Sequence, residues 1–121
     1  MLFRSGGPLF DRMDLTVRVD RVDPSLIIDP PTRDRASIRV RERVATARRF
    51  GTECRPRGIR PSLEPAARTL LESAARSAQL SGRGVTRVLR VARTIADLEH
   101  SRTIQEGHVA EAIGYRAREY R

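Results

Sequence analysis

The stretch from residue 80 to 97, LSGRGVTRVLRVARTIAD, constrains the fold more than any other. Val85, Val88, Leu89, Ala92, Ile95 and Ala96 recur at the spacing of one helical face. A helix with so wide an apolar stripe must bury it against other elements, so at least one more helix or a sheet has to cover it. On the other side, Arg83, Arg87 and Arg90 fall within roughly 60° of one another, with Arg93 just beside them. That ladder faces one of three things: water, a nucleic acid, or the phosphates of a nucleotide.

Other segments supply the cover. The spacing predicts a first helix over about residues 34–50, with Ile38, Arg41/Val44 and Ala45 on one face and Arg33, Arg39, Arg43 and Arg48 outside. The glycines and prolines of GTECRPRGIRP should then break it. A second helix is expected over about 63–79, with Ser62 as its cap and Pro65 in its first turn, where the missing N–H costs little. Its stripe is Leu63, Ala67, Leu70, Leu71, Ala74 and Ala78. LSGRG turns into the arginine-bearing helix, about 83–100. Thr103 and Glu106 have the spacing of a capping box that opens a last helix, with Ile104, Val109, Ala112 and Ile113 toward the core and Tyr115 closing it. Upstream, DLTVRV alternates Leu15, Val17 and Val19 with Asp14, Thr16 and Arg18, the pattern of a half-buried strand. A lone strand forms no sheet, so this one reads as the end of something larger. DRVDPSLIIDPPTRD reads as a linker. The organisation expected is therefore 1–20 as the end of a preceding core, 21–34 as linker, and 35–121 as a helical domain.

Composition narrows the chemistry. All 24 basic residues are Arg and the net charge is +9, which favours polyanionic partners through phosphate contacts. Aromatic residues make up 4%, with no Trp, too few for a base-stacking platform. A single cysteine, Cys54, allows no internal disulfide, in keeping with a reducing cytoplasm. No apolar run approaches a membrane span. Without any Lys, the phosphate loop G-x-x-x-x-G-K-[ST] cannot be present in its standard form. His100 and His108 lack a third ligand at metal spacing, so no metal site is expected, and His108 reads as a packing or capping residue. No nucleophile–base set stands out.

Taken together, GGPLFDRMDL, LSGRGVTRVLRVARTIAD and the later Ile104, His108, Glu111, Ala112, Tyr115 and Arg116 resemble the C-terminal part of magnesium-chelatase-like AAA+ ATPases, within them the competence-associated subfamily. The resemblance covers about residues 6–20 and 62–116. It implies a mainly α fold, a small helical bundle of the AAA+ lid type preceded by a short remnant strand of an α/β ATPase core. It implies that Arg12, in the D-R-x-D-L stretch, is an arginine finger reaching the γ-phosphate in a neighbouring subunit. Arg83, in L-S-x-R, matches the lid arginine known as sensor 2. Both roles suit a guanidinium, which is always charged and offers a planar fork to phosphate oxygens. Arg87 and Arg90 are secondary candidates for phosphate or interface contacts.

ATP and Mg²⁺ follow as cofactors only in the context of a full ATPase. The resemblance also implies a homo-hexamer, DNA as the substrate of a motor for branch migration or unwinding, and no membrane. The chain departs from the family in three ways. Its Walker A, Walker B and sensor 1 segments are absent, so activity of this chain alone is not expected; the stretch before RPSLEP is shortened; and SGGP carries an extra Gly. Two other readings stand beside this one: the ATPase subunit of a magnesium chelatase, and a stand-alone basic helical module that would lay residues 83–97 into a DNA groove.

Overall fold

A computed structural model describes residues 12–30, 36–56, 60 and 62–116. In chain order these form α1 (Pro24–Ile28), α2 (Ala36–Cys54), β1 (Ser62–Leu63), α3 (Pro65–Ser77), α4 (Gly82–Leu98), β2 (Thr103–Ile104) and α5 (Glu106–Gly114). The expected helical bundle is present, with α4 at its centre. Helix α5 packs on both α3 and α4, and α2 packs on α4. The core consists of Ala67 and Leu71 from α3, Val88, Val91, Ala92, Ile95 and Ala96 from α4, Ile104 from β2, and Val109 and Ala112 from α5. Burying each Val or Ile side chain there is worth about 1.5–3 kcal/mol. Among the described residues, no helix is long and apolar enough to cross a membrane.

The bundle has a small sheet that the residue pattern does not announce. β1 and β2 pair in parallel, Ser62 with Thr103 and Leu63 with Ile104. Parallel pairing needs a long crossover, and α3 and α4 supply it. The pair displaces both expected caps. Ser62 lies in β1, and Glu64 is the N-cap of α3, with Pro65 in the first turn as anticipated. Thr103 lies in β2, and the capping box of α5 is made instead by Gln105 and His108. Ser62 and Thr103 thus lie in strand because the packing of the helices sets Leu63 beside Ile104 at the edge of the core.

Helices α3 and α4 end alike. Gln79 and His100 adopt the left-handed conformation, φ 50° and 55°. The amide two residues past the last helical turn then folds back: Leu80 N–H donates to the Ala75 carbonyl at 2.9 Å and Ser101 N–H to the Ala96 carbonyl at 2.8 Å. This is the Schellman closure, made here without glycine.

Three further expectations need correction. Residues 14–19 form no strand; Thr16 N–H donates to the Tyr115 carbonyl at 2.6 Å, and among the described residues no ladder partner lies beside the segment. The 21–34 linker contains α1, whose start is capped by the Asp23 carboxylate accepting from Ser25 N–H and Oγ, each at 2.9 Å. Those hydrogen bonds, the backbone one first, hold the Asp23 carboxyl below its ordinary pKa. Finally, α2 does not stop at Gly51 but runs to Cys54, and its buried residue is Ala47 rather than Ile38, Val44 or Ala45.

The helix runs through Gly51, and other side chains occupy the space that a larger residue there would need. A Cβ there would stand 2.8 Å from both Arg55 Nη2 and Asp97 Oδ2. Those two side chains form an ion pair at 2.5 Å that ties the end of α2 to α4, with each side chain about one-seventh exposed (13% and 14%). The hydrogen bond that the Arg55 guanidinium donates to the Asp97 carboxylate raises the guanidinium's pKa above the ordinary value.

Candidate functional site

The start of α4 sets the site. Ser81 is the N-cap, and its Oγ accepts from Gly84 N–H at 3.1 Å. The Ser81 carbonyl accepts from Val85 N–H, so the N–H groups of Gly82 and Arg83 remain outside the helix ladder. They point out of the positive end of the α4 dipole. Arg83 is exposed, lies off the core face, and makes no ion pair among the described residues. Gly84 is buried beside the Arg116 guanidinium, which lies 3.5 Å from where a Cβ on Gly84 would be. Arg116 follows Tyr115, the C-cap of α5, so the end of α5 delivers a second arginine to the first turn of α4.

One turn further along, the ladder is already engaged. Arg87 Nη1 donates to Asp14 Oδ1 at 2.5 Å, and the Arg87 side chain is mostly buried. Arg90 Nη1 stands 4.0 Å from the same oxygen and remains over half exposed. Both secondary candidates therefore converge on one carboxylate of the same chain. Arg93 is half-buried on the flank of the helix.

Asp14 belongs to the D-R-x-D-L stretch, two residues after Arg12. Arg12 is exposed at a turn and, like Arg83, makes no ion pair among the described residues. The rest of its stretch, from Gly6 to Asp11, lies outside the described residues. Sequence reasoning picked out Arg12 and missed Asp14; the signal available was the second acidic residue of the motif, opposite in sign to the ladder.

His108 is buried and structural. Its Nδ1 accepts from Gln105 N–H at 3.0 Å, which leaves Nε2 to donate to Glu99 Oε2 at 2.7 Å. This matches the capping and packing role read for it. Among the described residues, no three His, Cys, Asp or Glu side chains gather as metal ligands. A shallow groove of about 450 Å³ lies at the far end of α4, lined by Arg39, Glu42, Arg43, Thr46, Leu98 and His100. It mixes both charges and is some 20 Å from Arg83 along the helix.

Residues 34–116 match the family described as magnesium chelatase, subunit ChlI C-terminal. The chain is 35% identical over 127 aligned positions to the competence protein ComM of Haemophilus influenzae, covering 96% of this chain and 25% of that protein. It is 32% identical to YifB of Escherichia coli over 96% of this chain and 25% of that protein. The Mb2921c protein of Mycobacterium bovis is 33% identical over 95% of this chain and 25% of its own length. The chain thus spans about a quarter of the relatives it matches.

Proposed function

The chain belongs to the magnesium chelatase ChlI C-terminal family of magnesium-chelatase-like AAA+ proteins, and on that premise we propose that it is the lid region of a competence-type ATPase. In this reading Arg83 contacts the phosphates of ATP bound beside the lid, and Arg12 reaches the γ-phosphate held by a neighbouring subunit of a homo-hexamer. Mg²⁺ accompanies the ATP, and both bind in the core of the full ATPase rather than to this chain alone. The substrate of the motor is DNA, in keeping with the net charge of +9 and the likeness to a competence protein.

The observation that carries the reading is the setting of Arg83. It is an exposed guanidinium in the first turn of a long helix, off the core, next to two N–H groups that the helix does not use. Negative charge is stabilised at such a place by the helix dipole and by charge-assisted hydrogen bonds together. The geometry disfavours the stand-alone module. A recognition helix needs its ladder free for phosphate and base edges, whereas Arg87 is already held by Asp14.

The test is ATP turnover by a hybrid in which this chain replaces the matching quarter of the Haemophilus influenzae competence protein. Arg83→Ala should lower kcat at least about tenfold, a smaller loss than the roughly 10³–10⁵ of an arginine finger, while leaving the melting temperature unchanged. Unaltered turnover would remove Arg83 from the nucleotide site. In the same experiment this chain alone should bind duplex DNA weakly or not at all; tight binding that falls steeply with salt would bring the binding module forward instead.

A further inference from the structure

We infer that Asp14 is a positioning residue that locks the Arg12 stretch to the helix bearing Arg83, so that the two arginines move as one body. The inference rests on the reading above for what those arginines do, and on three contacts for how they are joined. The Asp14 carboxylate holds Arg87 at 2.5 Å, with Arg90 Nη1 at 4.0 Å from the same oxygen. Thr16 N–H donates to the Tyr115 carbonyl at 2.6 Å, at the end of α5. The next residue, Arg116, lies against Gly84 in the first turn of α4.

The segment that carries Arg12 is therefore pinned at two points to the half of the bundle that presents Arg83. Arg12 stands two positions before Asp14, a reach of at most about 7 Å. Arg87 sits one turn, about 6 Å, along α4 from Arg83. A lid that swings when Arg83 engages ATP must carry the Asp14 anchor with it, and Arg12 follows on its short leash. The ion pair thereby turns nucleotide contact in one subunit into a displacement of the arginine aimed at the next. Without Asp14, the Thr16 hydrogen bond still holds the chain nearby, but it fixes a point four residues from Arg12 rather than two.

Two measurements test this. In the 121-residue chain with Cys54→Ser, nitroxides placed at Arg12→Cys and Arg83→Cys should show one narrow distance distribution by double electron–electron resonance. Asp14→Ala should broaden it, and the charge exchange Asp14→Arg with Arg87→Asp should narrow it again. In the hybrid ATPase, Asp14→Ala should lower kcat about tenfold with the KM for ATP changed less than about twofold, since it touches no nucleotide. The charge exchange should recover most of that loss.

A distribution or a kcat that Asp14→Ala leaves unchanged, while Arg12→Ala abolishes turnover, overturns the positioning role and leaves the proposed function standing. Wild-type turnover in both Arg12→Ala and Arg83→Ala fails the proposed function itself, and Asp14 then has nothing catalytic to position. A lower melting temperature with kcat intact would reduce the ion pair to a structural staple and overturn the inference.

Discussion

The half of the chain after residue 62 and the half before it carry apolar residues in similarly regular patterns, yet they meet different fates. From Leu63 to Ala112 nearly every residue read as core is buried or packed against the core: Val88, Ala92, Ala96, Ile104 and Val109 are all at or near zero exposure. Before it, Leu15, Val17, Val19, Leu26, Ile27, Ile28, Ile38, Val40 and Val44 are all exposed. Residues 36–45 of α2 all have exposed side chains, the nearest approach to α4 being the open groove that Arg39, Glu42 and Arg43 share with Leu98 and His100, and the first buried residue of the helix is Ala47. Periodicity tells which face of an element can be buried. Whether it is buried depends on a partner at the right distance, which periodicity does not report.

The largest test of that difference is Val88→Asp. The side chain is 1% exposed in the middle of α4, between the helices it holds together. An unpaired carboxylate there costs several kcal/mol, against a total of about 5–15 kcal/mol for a domain of this kind. Circular dichroism should show a chain that no longer melts cooperatively. A melting curve like the parent's would mean that α4 turns a different face inward.

The seam between the two halves gives a smaller effect with a revealing sign. Gly51→Ala improves helix propensity by about 1 kcal/mol, but its Cβ would fall 2.8 Å from Arg55 Nη2 and Asp97 Oδ2. Parting the two side chains forfeits a charged hydrogen bond worth about 1.5–3 kcal/mol. It also leaves Asp97, whose Oδ1 is already buried without a partner, further uncompensated. Stability should fall by about 1 kcal/mol on balance. In an Asp97→Ala background the same change should stabilise, because only the propensity gain remains. Destabilisation of equal size in both backgrounds would show that backbone crowding, not the ion pair, demands glycine.

Gly51 also marks where the residues misled. Read alone, a glycine ahead of Pro56 ends a helix, and nothing in the sequence announces a partner 42 residues away. The bundle itself was legible: the faces of α3 and α4, the first-turn Pro65 and the packing role of His108 all follow from spacing. The two-residue strands were not, since β1 and β2 are too short to have a period and exist only because α3 and α4 bring them side by side. At the candidate site, Arg12 and Arg83 are singled out by motifs. The Asp14–Arg87 pair is not, because it joins positions 73 apart through tertiary packing.

The smallest expected effect bears most directly on the exposed half. Ile38 and Val44 are 50% and 38% exposed on the outlying turns of α2. Replacing both by Ser removes apolar surface that is already largely in water and swaps two β-branched residues for one of similar helix propensity. Each site should therefore stay within about 0.5 kcal/mol of the parent, the range of surface positions. The paired change should leave the melting temperature of the 121-residue chain nearly where it was. A loss of 2 kcal/mol or more, on the order of a buried aliphatic side chain, would mean that this face is covered in solution. The contrast between the two halves would then describe one arrangement of the chain rather than a difference in what their sequences can bury.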